Sequence, residues 1–449
     1  DCPLKIHPNE AVLEELLLSL RNDQRIVLGH LFSCECCRRR FDGVEQRRLQ
    51  AGPSGKILSW PGDPYGEALD RTLSEMDAHR QVLARERALA PALFVELSGY
   101  SITQKDLILR NDARFRTWGL FELLIERSFE TAIEDSAHAE ELGLLALRLS
   151  DQLDPEIYDP GLIEDYRGRA WAHIGNARRI RSDLRGAEEA FDNADAYLRQ
   201  GTQDIVERAI FLDLKASLRR DQRQFDEATK LLRRAVSIFI QLGHRHRAGR
   251  TLVKLSTVRH FAGNIEEAIP LLYQALELID PEEEPRLLLS ARHNLIDNLT
   301  EMGRHLEAQR RYRETRPLYR DFPAPWAQNR RKWVRGKIAR GLGQLRMAES
   351  LFRTARNGFV EEGIPYDTAL VSLDLAVLYA QQGRMRDLKR LAFEMVPIFS
   401  SLQIHREALA ALAFLKKAME SEQANLELVT GVAAFLRNAR LDPALKFEG

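Results

Sequence analysis

The chain has 449 residues, 44% hydrophobic and 29% charged, which is enough apolar material for two or three packed domains without covalent staples. Lysine plus arginine number 66 and aspartate plus glutamate 66, excluding the strong overall positive field of a dedicated nucleic-acid binder while leaving local patches open. The longest apolar runs, such as Val429 to Leu436, fall far short of the roughly 18 residues that a membrane-spanning helix needs. The amino terminus lacks a charged-then-apolar leader, so a cytoplasmic protein is expected, with a processed or trimmed start left open by the absent initiator Met.

Cys2, Cys34, Cys36 and Cys37 are the only cysteines, and their clustering near the amino terminus points to local chemistry rather than the spread disulfides of a secreted protein. His30, Cys34 and Cys37 follow H-x-x-x-C-x-x-C. On a helix the bearings of the two cysteines differ from that of His30 by about 40° and 20°, so the three converge on one side at metal-ligand spacing. An imidazole and two thiolates would hold Zn²⁺ tetrahedrally given a fourth donor from upstream, and His7 is preferred to Cys2 in that place. Inert reduced thiols and a redox-active cysteine set are the alternatives. Cys36 lies off the ligand face, either as a small hydrophobe or as an exchange partner for Cys37 after oxidation. The stretch Leu28 to Cys37, with His7 upstream, resembles the signature of bacterial zinc-binding anti-sigma domains. That resemblance implies a small helical module over residues 1–42 that binds a sigma factor.

Residues 43–65 contain Ala51-Gly52-Pro53-Ser54-Gly55 and Trp60-Pro61-Gly62-Asp63-Pro64 and read as a linker. The Gly52 to Ile57 fragment lacks the first glycine and the hydroxyl of a phosphate-binding P-loop. Residues 66–165 read as a helical segment followed by an irregular first helix pair around Trp118 to Leu124 and Leu142 to Leu147, with a loop from Asp154 to Gly161. Ser101 to Leu107 opens a helix, but no turn glycine and second amphipathic helix follow at helix-turn-helix spacing.

From residue 166 to 403 the sequence repeats. A small residue recurs at Ala187, Ala228, Ala268, Ala308 and Ala348, with Leu388 in a weakened sixth copy, so the period is about 40 residues. Four residues after each alanine stands a large side chain (Phe191, Leu232, Leu272, Tyr312, Phe352), and seven after stands Ala194, Ala235, Ala275, Thr315 or Ala355. Those offsets share one helical face. Five residues before the small position stand Gly263, Gly303, Gly343 and Gly383, where a turn between antiparallel helices needs a positive φ or a C-cap. Twelve residues before it stand Gly175, Ala216, Ser256, Ile296, Gly336 and Ala376, small enough, Ile296 excepted, for two helices to approach closely. Each unit is therefore a helical hairpin.

This arrangement resembles the tetratricopeptide repeat, most clearly in Trp171-Ala172-His173-Ile174-Gly175 followed by Ala187, Phe191 and Ala194. The period exceeds the usual length of roughly 34 residues and approaches that of HEAT arrays, but the alanine and glycine offsets favour elongated tetratricopeptide helices. The expected fold class is all-α: a right-handed α-solenoid of six such hairpins behind a small helical amino-terminal domain. Residues 404–441 read as capping helices and 442–449 as a tail.

No serine, histidine and carboxylate set recurs at interpretable spacing, so catalysis has no sequence support. The register places Arg179, Arg220, Arg250, His260, His293, Arg330, Trp333, Lys337 and Arg340 on the first helices, which line the concave side of such a stack. The expected groove is basic and would grip a partner protein or acidic peptide, with Trp333 as an aromatic platform. The opposing reading is a solvated face whose arginines pair with nearby Asp213, Asp297 or Glu301. The expected function is a non-enzymatic regulatory adaptor with a structural zinc, its partner a sigma factor or a signalling peptide. The alternative is a recognition subunit of a protease or defence complex, and direct nucleic-acid binding ranks last.

Overall fold

A computed structural model describes residues 40, 43, 44, 64–401 and 426–439. Two compact units divide the chain, Asp1–Val82 and Leu83–Gly449. His7, His30, Cys34 and Cys37, together with Cys2 and Cys36, lie outside the described residues, as does the first of the two capping helices, expected near 405–420. The linker expected at 43–65 has helix at both edges: Gly43 and Val44 are helical, and α1 (Pro64–Ser98) begins on a proline. Proline suits that position because its φ is already helical and the first N–H has no partner inside the helix.

All the described secondary structure is helical, and no helix among these residues is long and apolar enough to cross a membrane. After α1 come α2 (Ile102–Asn111), α3 (Trp118–Thr131) and α4 (Ser136–Ser150). Ser101 and Gln104 close a capping box at the start of α2, and Asp135 caps α4 by accepting from His138 N. The array follows as α5 (Pro160–Ile180), α6 (Leu184–Gln200), α7 (Ile205–Asp221), α8 (Phe225–Gln241), α9 (Arg245–Phe261) and α10 (Ile265–Leu278). It continues with α11 (Pro285–Glu301), α12 (His305–Thr315), α13 (Pro325–Gly341), α14 (Leu345–Glu361), α15 (Pro365–Gln381) and α16 (Met385–Ser401), and α17 (Leu426–Ala439) follows. Odd-numbered helices from α5 to α15 are the first, inner members of the hairpins, and even-numbered ones are the second.

The repeat register appears directly as burial. Ala187, Ala228, Ala268, Ala308, Ala348 and Leu388 are fully buried where each second helix meets its partner, and Phe191, Leu232, Leu272 and Phe352 fill the core one turn later. Every hairpin turn is a Schellman motif. In the third hairpin Gly263 N donates to His260 O and Asn264 N to Arg259 O, and equivalent pairs recur in the other five. The left-handed residue is glycine in four of these turns, but Ser182 (φ 67°) and Arg223 (φ 66°) occupy it in the first two.

The fourth hairpin is irregular. Ile296 is fully buried where other repeats carry a small residue, and Tyr312 is only partly buried. α12 ends at Thr315, shortly before Pro317, and a 3₁₀ turn at Leu318–Arg320 drives Tyr319 into the interior. The pair α3/α4 continues the array rather than standing apart from it: Leu120, Phe121 and Leu124 share a core with Leu142, Leu145, Leu149, Tyr166 and Ala170. At the other end Val429 and Val432 of α17 close the core formed with α15.

Candidate functional site

On the inner face α9, α11, α13 and α15 together form a cleft of about 330 Å³. Each is a first helix, so side chains at equivalent register positions face the same side. Five of the nine residues expected to bind a partner line this cleft: His260, His293, Arg330, Trp333 and Lys337. None of their polar groups stands alone. Trp333 Nε1 donates to Asp374 Oδ2 at 2.7 Å, Lys337 Nζ to Asp297 Oδ1 at 2.6 Å, and Arg330 Nη2 to Asp367 Oδ2 at 3.2 Å. His260 Nδ1 lies 2.8 Å from Asn298 Oδ1, and His293 Nδ1 lies 2.7 Å from the Tyr319 hydroxyl. The Lys337 ammonium also sits 4.9 Å from the centre of the Trp333 ring, whose other contact is edge-on to Phe359.

Almost all these bonds join a residue to the inner helix of the neighbouring repeat, and the electrostatics follow from that placement. Against the opposing effect of burial, the Lys337 ammonium holds the Asp297 carboxyl below its ordinary range. Burial pushes His293 down to about 4, so its ring is neutral near neutrality. Asp374 is fully buried and also accepts from Arg340 Nη1 at 2.9 Å, which places Arg340 immediately behind the platform.

The remaining three residues of the nine lie elsewhere. Arg179 and Arg220 both pair with Asp221, and Arg250 pairs with Glu284. The expectation of a basic groove is therefore corrected: two cations, Arg330 and Lys337, line the cleft with three acids, Asp297, Glu301 and Asp367. The physical reason is that acids stand at matching heights on adjacent inner helices, so each cation is neutralised across a repeat boundary. Asp374 and Asp213 had been readable, since each is a lone carboxylate flanked by leucines, Leu373-Asp374-Leu375 and Leu212-Asp213-Leu214. A charge in an apolar helix stretch is costly unless paired. Asp213 receives Lys254, whose ammonium burial holds below its ordinary value against the pull of Asp213.

Residues 207–280 match the tetratricopeptide repeat family. The match spans α7 to α10, two complete hairpins by the helix boundaries above. Over most of its length the chain is similar to solved structures, among them two. One is a Rap protein complexed with competence and sporulation factor, 13% identical with a TM-score of 0.54, over 72% of this chain and 87% of that one. The other is the apo form of RapI, 12% identical with a TM-score of 0.53, over 72% of this chain and 88% of that one. At that identity the likeness establishes the tetratricopeptide-like solenoid and nothing finer. No curated protein sequence matches the chain. Among the described residues no group of three or more His, Cys, Asp and Glu side chains is arranged to hold a metal ion.

Proposed function

We propose that this chain is a non-catalytic regulatory scaffold that binds an extended segment of a partner protein, or a peptide, in the cleft around Trp333. One observation carries the reading: four inner helices from successive repeats each contribute hydrogen-bonding or apolar groups to a single cleft. A segment laid along the array would engage all of them. Trp333, anchored at Nε1 by Asp374, supplies a rigid platform at low entropic cost. The balanced lining favours a segment of mixed charge over a strongly acidic one. The similar Rap protein, which is complexed with competence and sporulation factor, lends the reading architectural support.

A peptide array probed with the full chain tests it. Peptides captured by the wild type should be lost by Trp333→Ala and by Lys337→Glu, and kept by Arg185→Glu, a change at a residue 93% exposed on α6. Capture indifferent to Trp333 and Lys337 would sink the proposal. A sigma factor or a protease as partner would be separated by the protein that a peptide hit belongs to, and steep salt dependence would indicate nucleic acid instead. For the amino-terminal head we propose a structural zinc on His30, Cys34, Cys37 and His7, supported by their spacing. Elemental analysis should find zinc near one per chain, lost on His30→Ala, and a folded metal-free protein would overturn it.

A further inference from the structure

The cations of the inner face are neutralised across repeat boundaries, but those on the outer side of the fourth and fifth hairpins are not. Residues 310–335 carry nine lysines and arginines against two acids, Glu314 and Asp321, in a chain whose net charge is zero. Arg311 pairs with Glu314, Arg330 pairs with Asp367, and Lys332 donates to Asn329 Oδ1. Arg310, Arg313, Arg316, Arg320, Arg331 and Arg335 are in no ion pair among the described residues. Arg331 is half-buried and the other five are exposed.

Helix geometry turns these arginines away from the inner cleft. Arg331 and Arg335 stand one turn apart on α13 and each two residues from Trp333, so both lie about 160° round the helix from it. On α12, Arg310 and Arg313 lie about 160° and 140° from fully buried Ala308 and so face outward. Arg311 turns to α10, its guanidinium 5.2 Å from the centre of the Tyr273 ring, and Arg316 follows on the opposite flank, towards the next repeat. Arg320 lies in the 3₁₀ turn that leads to α13.

The repeat register shows how unusual that placement is. In the third, fourth and sixth hairpins the positions of Arg331 and Arg335 hold Thr251 and Leu255, Ala291 and Leu295, and Val371 and Leu375, all buried. The second hairpin has Lys215 at the Arg335 position but pairs it with Asp192. Leu295 lines a cleft with Tyr273 of α10 and Thr315 of α12, so this register position faces the gap between successive second helices. For Arg335 one wall of that gap is α12, which has 11 residues where α6, α8, α14 and α16 have 17. The short wall leaves the outer side of α13 uncovered, and arginines occupy what apolar residues fill elsewhere. Like charges gathered without counter-charges repel one another and contribute nothing to the fold, whereas an external polyanion would supply the missing partners.

The lining narrows the class of that polyanion. Among the described residues, 310–335 include no exposed large hydrophobic side chain. A protein interface is built round apolar or aromatic anchors, whereas a guanidinium grips phosphate oxygens bidentately without one. We propose that this outer face binds the phosphodiester backbone of a nucleic acid, with Arg313, Arg316, Arg331 and Arg335 contacting phosphate oxygens. With no exposed aromatic to stack a base, binding is indifferent to sequence. The face is separate from the Trp333 cleft and stands or falls without it.

The test titrates the full chain into a fluorescein-labelled DNA duplex of random sequence, and separately into RNA of the same sequence, at several salt concentrations. Anisotropy should give a Kd of roughly 1–100 µM near physiological salt, weakening steeply as salt rises. Arg313→Gln combined with Arg335→Gln should reduce the slope of log affinity against log salt by about two. Arg313→Glu combined with Arg335→Glu should weaken binding at least about tenfold. Neither residue has an ion-pair partner to lose, so circular dichroism and the thermal midpoint should match the wild type. Arg185→Glu on α6 and Trp333→Ala in the inner cleft should leave the Kd within about twofold. Binding of DNA, of RNA or of both supports the face, and the comparison shows which backbone it takes. No binding of either at low salt, or binding indifferent to Arg313 and Arg335, overturns the proposal. Capture of a polyglutamate probe with neither nucleic acid bound also overturns it, because the partner is then an acidic protein.

Discussion

Four of the six hairpin turns use glycine at the left-handed position, and two do not. Ser182 and Arg223 hold φ of 67° and 66° with a Cβ present. A non-glycine residue in that region costs on the order of 1–2 kcal/mol, partly offset because glycine loses about 0.5–1 kcal/mol more chain entropy on folding. Arg223 has a compensating contact, its guanidinium 4.8 Å from the Phe225 ring centre, whereas exposed Ser182 makes no side-chain hydrogen bond among the described residues. Ser182→Gly should therefore stabilise the protein by about 0.5–1 kcal/mol, and Arg223→Gly by less. Thermal midpoints measured side by side check this, and a lower midpoint for Ser182→Gly would show that the turn is unstrained.

At the scale of the helix pair, the fit between first and second helices decides which glycines are replaceable. A Cβ at Gly336 would come 2.6 Å from Phe352 Cε1, and Phe352 is fully buried, so its ring has no free direction to yield. A Cβ at Gly175 would meet the Phe191 ring at 3.0 Å. Alanine gains about 1 kcal/mol in helix propensity over glycine, while overpacking a filled core costs about 1–3 kcal/mol. The cost wins at Gly336 and nearly cancels at Gly175. Gly336→Ala should lower stability by about 1–2 kcal/mol, and Gly175→Ala should lie near neutral; denaturant midpoints in the reverse order would refute this packing account. These small-residue positions were legible in the sequence because helix periodicity and a fixed repeat place them on one face. The Schellman turns were legible where glycine marked them and silent at Ser182 and Arg223. Tyr319, buried by a 3₁₀ turn outside the repeat register, had no periodic signal at all.

Across the whole array, long-range pairings rather than the repeat pattern decide the character of the inner face, and the sequence conceals them because each joins residues one repeat apart. Arg169 meets Glu207, Lys254 meets Asp213, His260 meets Asn298, Lys337 meets Asp297, and Arg340 with Trp333 meets Asp374, so each inner helix is tied to the next. The nine inner-face positions could be named from register, and Asp213, Asp297 and Glu301 as acids able to neutralise them, but not which cation each acid takes. Desolvation of two histidines on this face sets the response to acid. The unfolded chain protonates histidine below the ordinary value of 6.5, whereas buried His173 and partly buried His293 resist protonation until about 3 and about 4. Between those limits the unfolded state binds more protons, so stability falls as pH falls. Glu188, held down to about 2 by the Arg219 guanidinium, acts in the same direction below its ordinary value of 4.5, while Asp165, raised by burial, opposes it. Between pH 7 and 4.5 each of the two histidines should contribute a loss on the order of 2 kcal/mol, so the thermal midpoint should drop steeply before most carboxylates titrate. His293→Gln, which keeps a hydrogen-bonding group beside Tyr319 but cannot take up a proton, should shrink that drop. A midpoint difference between pH 7 and 4.5 that is identical in the variant and the wild type would remove His293 from the acid response.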